Sequence, residues 1–149
     1  MSNKAKKSIL LVEDNPGHAE LVIRAIEGNE ACSQIYHVLD GSSALNFLEH
    51  KGNFNDGNKY PRPDMVLLDL RLPKINGLDV LKYIKSTEAY HYIPVIVLTT
   101  SDAEKDIAQA YDYHANSYLV KPMDFEKFKF MMDQICNYWL CMNQIPSYE

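Results

Sequence analysis

Five short apolar runs punctuate the chain: SILLV (8–12), IYHVL (35–39), DMVLL (64–68), PVIVL (94–98) and NSYLV (116–120). Their length and β-branched content predict strands. Three are apolar nearly throughout, as parallel strands covered on both faces are. Between the runs, apolar residues recur at helical spacing. Asn15 and Pro16 supply a cap and a first-turn proline for AELVIRAIEGN, which closes on Gly28. SSALNFLEH follows the second run and LDVLKYIKSTEA the third. DAEKDIAQAYDYH follows the fourth, with Asp102 as its expected cap, and a last helix runs through DFEKFKFMMDQICNYWLCM from Asp124.

Strand and helix alternating five times imply an α/β fold with right-handed crossovers. Five strands with five helices allow several orders, among them that of a flavodoxin-like, doubly wound, five-stranded parallel sheet, 2-1-3-4-5. The chain reads as a single domain over 1–149, with its core at about 8–141, short polar tails and no output domain. KGNFNDGNKYPRP (51–63), rich in Gly, Asn and Pro, reads as a long loop before the third strand.

Charge narrows the function classes. A net charge of -5 and the lack of a basic stripe argue against nucleic acid. No run is long enough for a signal peptide core or a membrane span. Cys32, Cys136 and Cys141 lack metal-ligand spacing and read as reduced thiols of a cytoplasmic protein. His18, His37, His50, His91 and His114 are scattered without ligand spacing and read as ordinary.

In the order 2-1-3-4-5 the carboxyl ends of strands 1 and 3 flank the crevice where such sheets bind ligands. Strand 1 ends in Glu13 and Asp14, strand 3 in Asp69. Three carboxylates about 5 Å apart repel by roughly 3 kcal/mol per pair at an effective dielectric of ~20. A raised pKa or a cation relieves this, and Mg²⁺ prefers such oxygen ligands. Thr99 closes strand 4 and Lys121 closes strand 5. A hydroxyl, an ammonium and a metal around one carboxylate suit a tetrahedral anion, with Asp69 as a nucleophile that forms an acyl phosphate. Pro122 permits a cis bond that would turn Lys121 into the site.

LLVEDN, LLDLRLPKINGL, VIVLTT and YLVKP together resemble the receiver domain of bacterial two-component response regulators, of the chemotaxis-regulator-like type. The resemblance implies the flavodoxin-like order 2-1-3-4-5 and Asp69 as phosphoacceptor. It implies Glu13, Asp14, Asp69 and the backbone carbonyl of Arg71 as the seat of Mg²⁺ (or Mn²⁺). Thr99 and Lys121 would contact the phosphoryl group, and Tyr118 would follow Thr99 as a switch. The donor would be a histidine kinase. PRPDMVLLDLRLPKINGLDVL, IPVIVLTTS and NYWLCMNQIP are similar to small response regulators of bacterial phytochrome kinases, especially cyanobacterial ones, which implies a phytochrome donor and light as the input. Haloacid-dehalogenase-like phosphatases also use a strand-end Asp, but their second Asp two residues on is here Arg71, and no P-loop is present. Turnover of an external substrate is therefore not expected. A receiver-like module that signals by binding alone is the other alternative.

Signalling would leave through surface contacts to a downstream protein. Phe125, Phe128, Met132, Ile135 and Trp139 form one helical stripe, assigned to the core. Phe130, Met131, Tyr138, Cys141 and Met142 form a second apolar face, expected to make a homodimer together with the tail NQIPSYE.

Overall fold

The structure, a computed structural model, describes residues 7–32 and 34–146. The polar start before Lys7 and the end of the NQIPSYE tail lie outside the described residues. The strands are β1 (Ser8–Val12), β2 (Gln34–Val38), β3 (Met65–Leu68), β4 (Val95–Thr99) and β5 (Ser117–Val120). They pair in parallel in the order β2-β1-β3-β4-β5. The helices are α1 (Pro16–Ile26), α2 (Gly41–Glu49), α3 (Gly77–Ser86), α4 (Glu104–Asp112) and α5 (Phe125–Cys136). Order and helix count are those expected, and no strand end moves by more than one residue.

Alternation along each strand sorts the core into two layers. Ile9, Leu11, Met65, Leu67, Ile96 and Leu98 pack with α1 and α5. Leu10, Val12, Val66, Leu68, Val95 and Val97 pack with α2 and α3, and Ala110 of α4 joins them. Each central strand is thus buried on both faces, which is why its sequence is apolar without a polar alternation.

Local chemistry explains most helix ends. Asn15 caps α1 by accepting the His18 N–H at 3.0 Å, Asp40 caps α2 through Ser43 N–H at 2.7 Å, and Asp124 accepts from Glu126 N–H at 2.9 Å. Asp102 does not cap α4. The capping position is Ala103, and the Ser101 hydroxyl accepts its N–H at 3.3 Å while donating to Asp106 at 2.5 Å. The last helix is also not uniform. It widens into a π-helical segment, Asn137–Met142, closed by the Asn143 N–H on the Tyr138 carbonyl. This segment carries Leu140 into the core.

The stretch 51–63 is more than a loop. It contains a 3₁₀ turn, Gly52–Phe54, and its Phe54 and Tyr60 rings pack edge-to-face at 5.1 Å while both contact Phe47 of α2. The imidazole of His50 bonds the Tyr60 carbonyl at 2.8 Å, so the insertion is folded down onto α2.

Gly77 sets the seat of α3. A Cβ there would lie 2.3 Å from the Asp69 carbonyl oxygen and 2.5 Å from Leu70 Cα, both backbone atoms that cannot swing away. Gly77→Ala should lower stability by about 1–3 kcal/mol in urea unfolding. A change within a few tenths of a kcal/mol would show that α3 shifts freely.

Candidate functional site

Four side chains converge at the carboxyl rim of the sheet. Glu13, Asp69 and Lys121 each stand one residue beyond β1, β3 and β5, and Thr99 is the last residue of β4. Backbone bonds extend the ladder to fix them there: Glu13 N–H to Val38 O at 3.1 Å, Asp69 N–H to Val12 O at 3.1 Å and Lys121 N–H to Thr99 O at 2.8 Å. Glu13 is 2% exposed, Asp69 8% and Thr99 0%.

The ammonium of Lys121 donates to Glu13 Oε1 at 2.6 Å and to Asp69 Oδ2 at 3.2 Å. The other oxygen of Asp69, Oδ1, accepts the Thr99 hydroxyl at 3.2 Å and the Arg71 N–H at 3.0 Å. Glu13 Oε2 accepts the Asn15 N–H at 3.2 Å. Burial pushes the Glu13 carboxyl above its usual range; the Lys121 hydrogen bond opposes this, and the charge of Asp69 adds to it. Two nearly buried carboxylates thus share one ammonium.

Asp14 is exposed, and the ligand atoms that lie within 4.8 Å of one another belong to Glu13, His18 and Asp69. One part of the expected set is corrected. The Lys121–Pro122 bond is trans. A cis bond is not needed, because the ladder bond to Thr99 O already directs Lys121 over the rim. His18 is not an ordinary surface histidine. Its Nδ1 lies 3.2 Å from Lys121 Nζ, and its ring nitrogen, a Glu13 oxygen and an Asp69 oxygen lie within 4.8 Å of one another. His37 was also missed as a contact of the rim: its Nε2 bonds the Glu13 carbonyl at 2.8 Å. His18 stands five residues after Glu13 in the chain, whereas His37 reaches the rim through the pairing of β2 with β1.

On the other side of the rim, Tyr118 donates its hydroxyl to the Ser101 carbonyl at 2.9 Å. Asp106, which accepts from Ser101, also pairs with the Arg71 guanidinium at 3.5 Å. Phe130, Tyr138, Cys141 and Met142 are exposed as expected, but Met131 packs against the α1–α5 core layer and leaves the second face. The three cysteines are free. Among the described residues, no helix is long and apolar enough to cross a membrane.

Such a rim defines a class: a flavodoxin-like domain built around one nearly buried aspartate flanked by an acid, a hydroxyl and a lysine. The chain matches the family model of the response regulator receiver domain over residues 9–133, and it belongs to that family, the receivers of two-component systems. It is 48% identical over 140 residues to FilR2, described as a probable methanogenesis regulatory protein of Methanothrix harundinacea, covering 93% of this chain and 87% of that protein. It is 36% identical over 141 residues to the response regulator Rcp1 of Synechocystis, covering 95% and 94%. A crystal structure of the Mn²⁺-bound form of Rcp1 superposes with a TM-score of 0.85, covering 95% of this chain and 99% of that one. The phosphorylated cyanobacterial phytochrome response regulator RcpA, 37% identical, superposes with a TM-score of 0.88 over 96% of this chain and all of the other.

Proposed function

We propose that this receiver accepts a phosphoryl group on Asp69 and signals through changed protein contacts. The observation that carries this is the division of labour on the Asp69 carboxylate. Oδ1 is held by two donors, Thr99 and the Arg71 N–H, which leaves Oδ2 beside Lys121 as the attacking oxygen. Oδ2 attacks the phosphorus of a phosphohistidine, the P–N bond breaks with its electron pair staying on nitrogen, and the donor ring, protonated on its other nitrogen beforehand, leaves as neutral imidazole. Lys121 pairs with an oxygen of the incoming group, and the Thr99 hydroxyl is positioned to donate to another. The protein thereby supports its own phosphotransfer without turning over an external substrate.

The donor set fits Mg²⁺ or Mn²⁺. Two nearly buried carboxylates share one ammonium, with Asp14 and the Arg71 carbonyl next in the chain to complete a seat of oxygens. The bound cation supplies charge neutralisation for the phosphoryl oxygens. Intact mass after incubation with a small phosphodonor is expected to show one added phosphoryl group with Mg²⁺ and none with EDTA. No adduct, together with no binding of beryllofluoride, would favour the module that signals by binding alone.

Tyr118 is proposed to report the state of the site. Its bond to Ser101 ties β5 to the loop before α4, where a move of Thr99 toward a phosphoryl group is felt. The upstream partner is proposed to be a histidine kinase of the phytochrome type, which likeness to RcpA and Rcp1 supports. The higher identity to FilR2 supports a different sensory input, and parallel transfer assays from a phytochrome kinase and a non-phytochrome kinase separate the two. Free thiols suit the reducing cytoplasm.

The exposed residues Phe130, Tyr138 and Met142 on the last helix are proposed to form a homodimer face. Phe130→Glu should then shift the light-scattering mass from dimer to monomer while leaving phosphorylation intact. A wild-type monomer in both the phosphorylated and unphosphorylated states would remove this face from the account.

A further inference from the structure

A lysine ammonium has three hydrogens and accepts nothing. Lys121 Nζ has three neighbours at hydrogen-bond distance: Glu13 Oε1 at 2.6 Å, Asp69 Oδ2 at 3.2 Å and His18 Nδ1 at 3.2 Å. Since the ammonium can only donate, the third contact is a hydrogen bond in the His18 tautomer that leaves Nδ1 bare. We propose that His18 is a positioning residue, which holds Lys121 in the place where it meets the phosphoryl group. This rests on the reading of Asp69 as acceptor and Lys121 as its phosphoryl contact.

The physical case starts from the flexibility of lysine. Its stem has four rotatable bonds, and two carboxylates define only a line between them. A third acceptor fixes the ammonium in the remaining direction. His18 is suited to that task because it is itself held. It sits in the first turn of α1, its backbone N–H is bonded to Asn15, and its side chain lines a cleft with Leu21, Pro122 and Phe128. The kind of acceptor also matters. A carboxylate in its place would bring a further acid beside Glu13 and Asp69, and would compete with an incoming phosphoryl anion for the ammonium. A ring nitrogen orients the lysine without that competition. When the Asp69 oxygen becomes part of an acyl phosphate, Lys121 exchanges one anionic partner for another while Glu13 and His18 keep it in register.

Two substitutions test the proposal. His18→Leu removes the acceptor and suits the apolar cleft, whereas His18→Asn returns an amide oxygen near the position of Nδ1. Phosphorylation of Asp69 by a small phosphodonor at saturating Mg²⁺ should be roughly tenfold slower in His18→Leu, equivalent to about 1.4 kcal/mol, and close to the wild-type rate in His18→Asn. In a Lys121→Met background, His18→Leu should produce no further loss. Wild-type speed in His18→Leu, equal slowing by Leu and Asn, or an additive loss alongside Lys121→Met would each overturn the role. A histidine ¹⁵N spectrum of the unphosphorylated protein gives a readout independent of phosphotransfer. His18 Nδ1 should appear as an unprotonated nitrogen whose resonance moves in Lys121→Met, and an unmoved resonance would overturn the contact. Failure of the wild-type protein to be phosphorylated would instead count against the reading of Asp69, whatever that spectrum shows.

Discussion

Asp69→Asn is expected to abolish phosphorylation from every donor while making the metal-free protein more stable. The first effect follows from chemistry: an amide oxygen is too poor a nucleophile to displace a leaving group from phosphorus, so the intact-mass adduct should fall below detection. The second follows from charge. Asp69 and Glu13 are both nearly buried, and the charge of Asp69 helps to raise the Glu13 carboxyl. The asparagine oxygen can keep the bonds from Thr99 and the Arg71 N–H, while one of two like charges disappears. Repulsion of this kind amounts to roughly 3 kcal/mol per pair near 5 Å, and the attraction to Lys121 lost at the same time offsets part of it. Thermal unfolding near neutral pH should therefore show a gain of about 1 kcal/mol without Mg²⁺. Added Mg²⁺ should stabilise the wild type more than the variant, and the difference should narrow. A less stable variant under metal-free conditions would mean that Lys121 already over-compensates the acids.

How far this site was legible in the sequence depended on the range of each interaction. The strand runs follow from local pattern, and the rim positions of Glu13, Asp69, Thr99 and Lys121 follow from the crevice rule once the receiver resemblance supplies the strand order. Alternation goes one step further. Leu11, Leu67 and Leu119 face the α1–α5 layer, so Glu13, Asp69 and Lys121, two residues on, fall to that same side. Tyr118 and Val97 face the other layer, and Thr99 follows Val97. The acid–ammonium cluster and the switch pair thus approach the rim from opposite faces of the sheet and meet where Thr99 bonds Asp69.

Other features could not be read that way. His18 reaches Lys121 only because α1 packs at one particular rotation over β5, a tertiary fact with no sequence period. The packing of Phe54 and Tyr60 on Phe47 was hidden behind Gly and Asn content that describes a loop well and its docking not at all. The reading of Asp102 as a cap failed because Ser101, one residue earlier, provides the oxygen that the first turn uses. The cis bond expected at Pro122 was a way to aim a side chain that register had already aimed.

Lys121→Met is expected to be the most destabilising conservative change in the site, and its effect should depend on pH. The Lys121 side chain is 9% exposed, and its ammonium pairs with two carboxylates that are themselves nearly buried. Removing one partner of a buried ion pair leaves uncompensated charge, at a cost of about 3–5 kcal/mol. The sign of the pH dependence comes from Glu13. Its folded-state pKa is raised above 4.5, chiefly by burial and despite the Lys121 hydrogen bond. A raised carboxyl pKa means that the fold binds the proton more tightly than the unfolded chain does. Its contribution is then fully stabilising below the unfolded value and is lost as pH rises through the folded value. Without Lys121, the largest opposing influence is gone and the folded value climbs further, so the loss extends over a wider window toward neutrality. Urea unfolding of the variant should be weakest near pH 7 and recover on acidification toward 4.5, with Mg²⁺ restoring part of the deficit at neutral pH by replacing the missing positive charge. A deficit of equal size at every pH would place the role of Lys121 in packing of its stem rather than in charge. A deficit that Mg²⁺ does not reduce would show that the cation and the ammonium serve different oxygens.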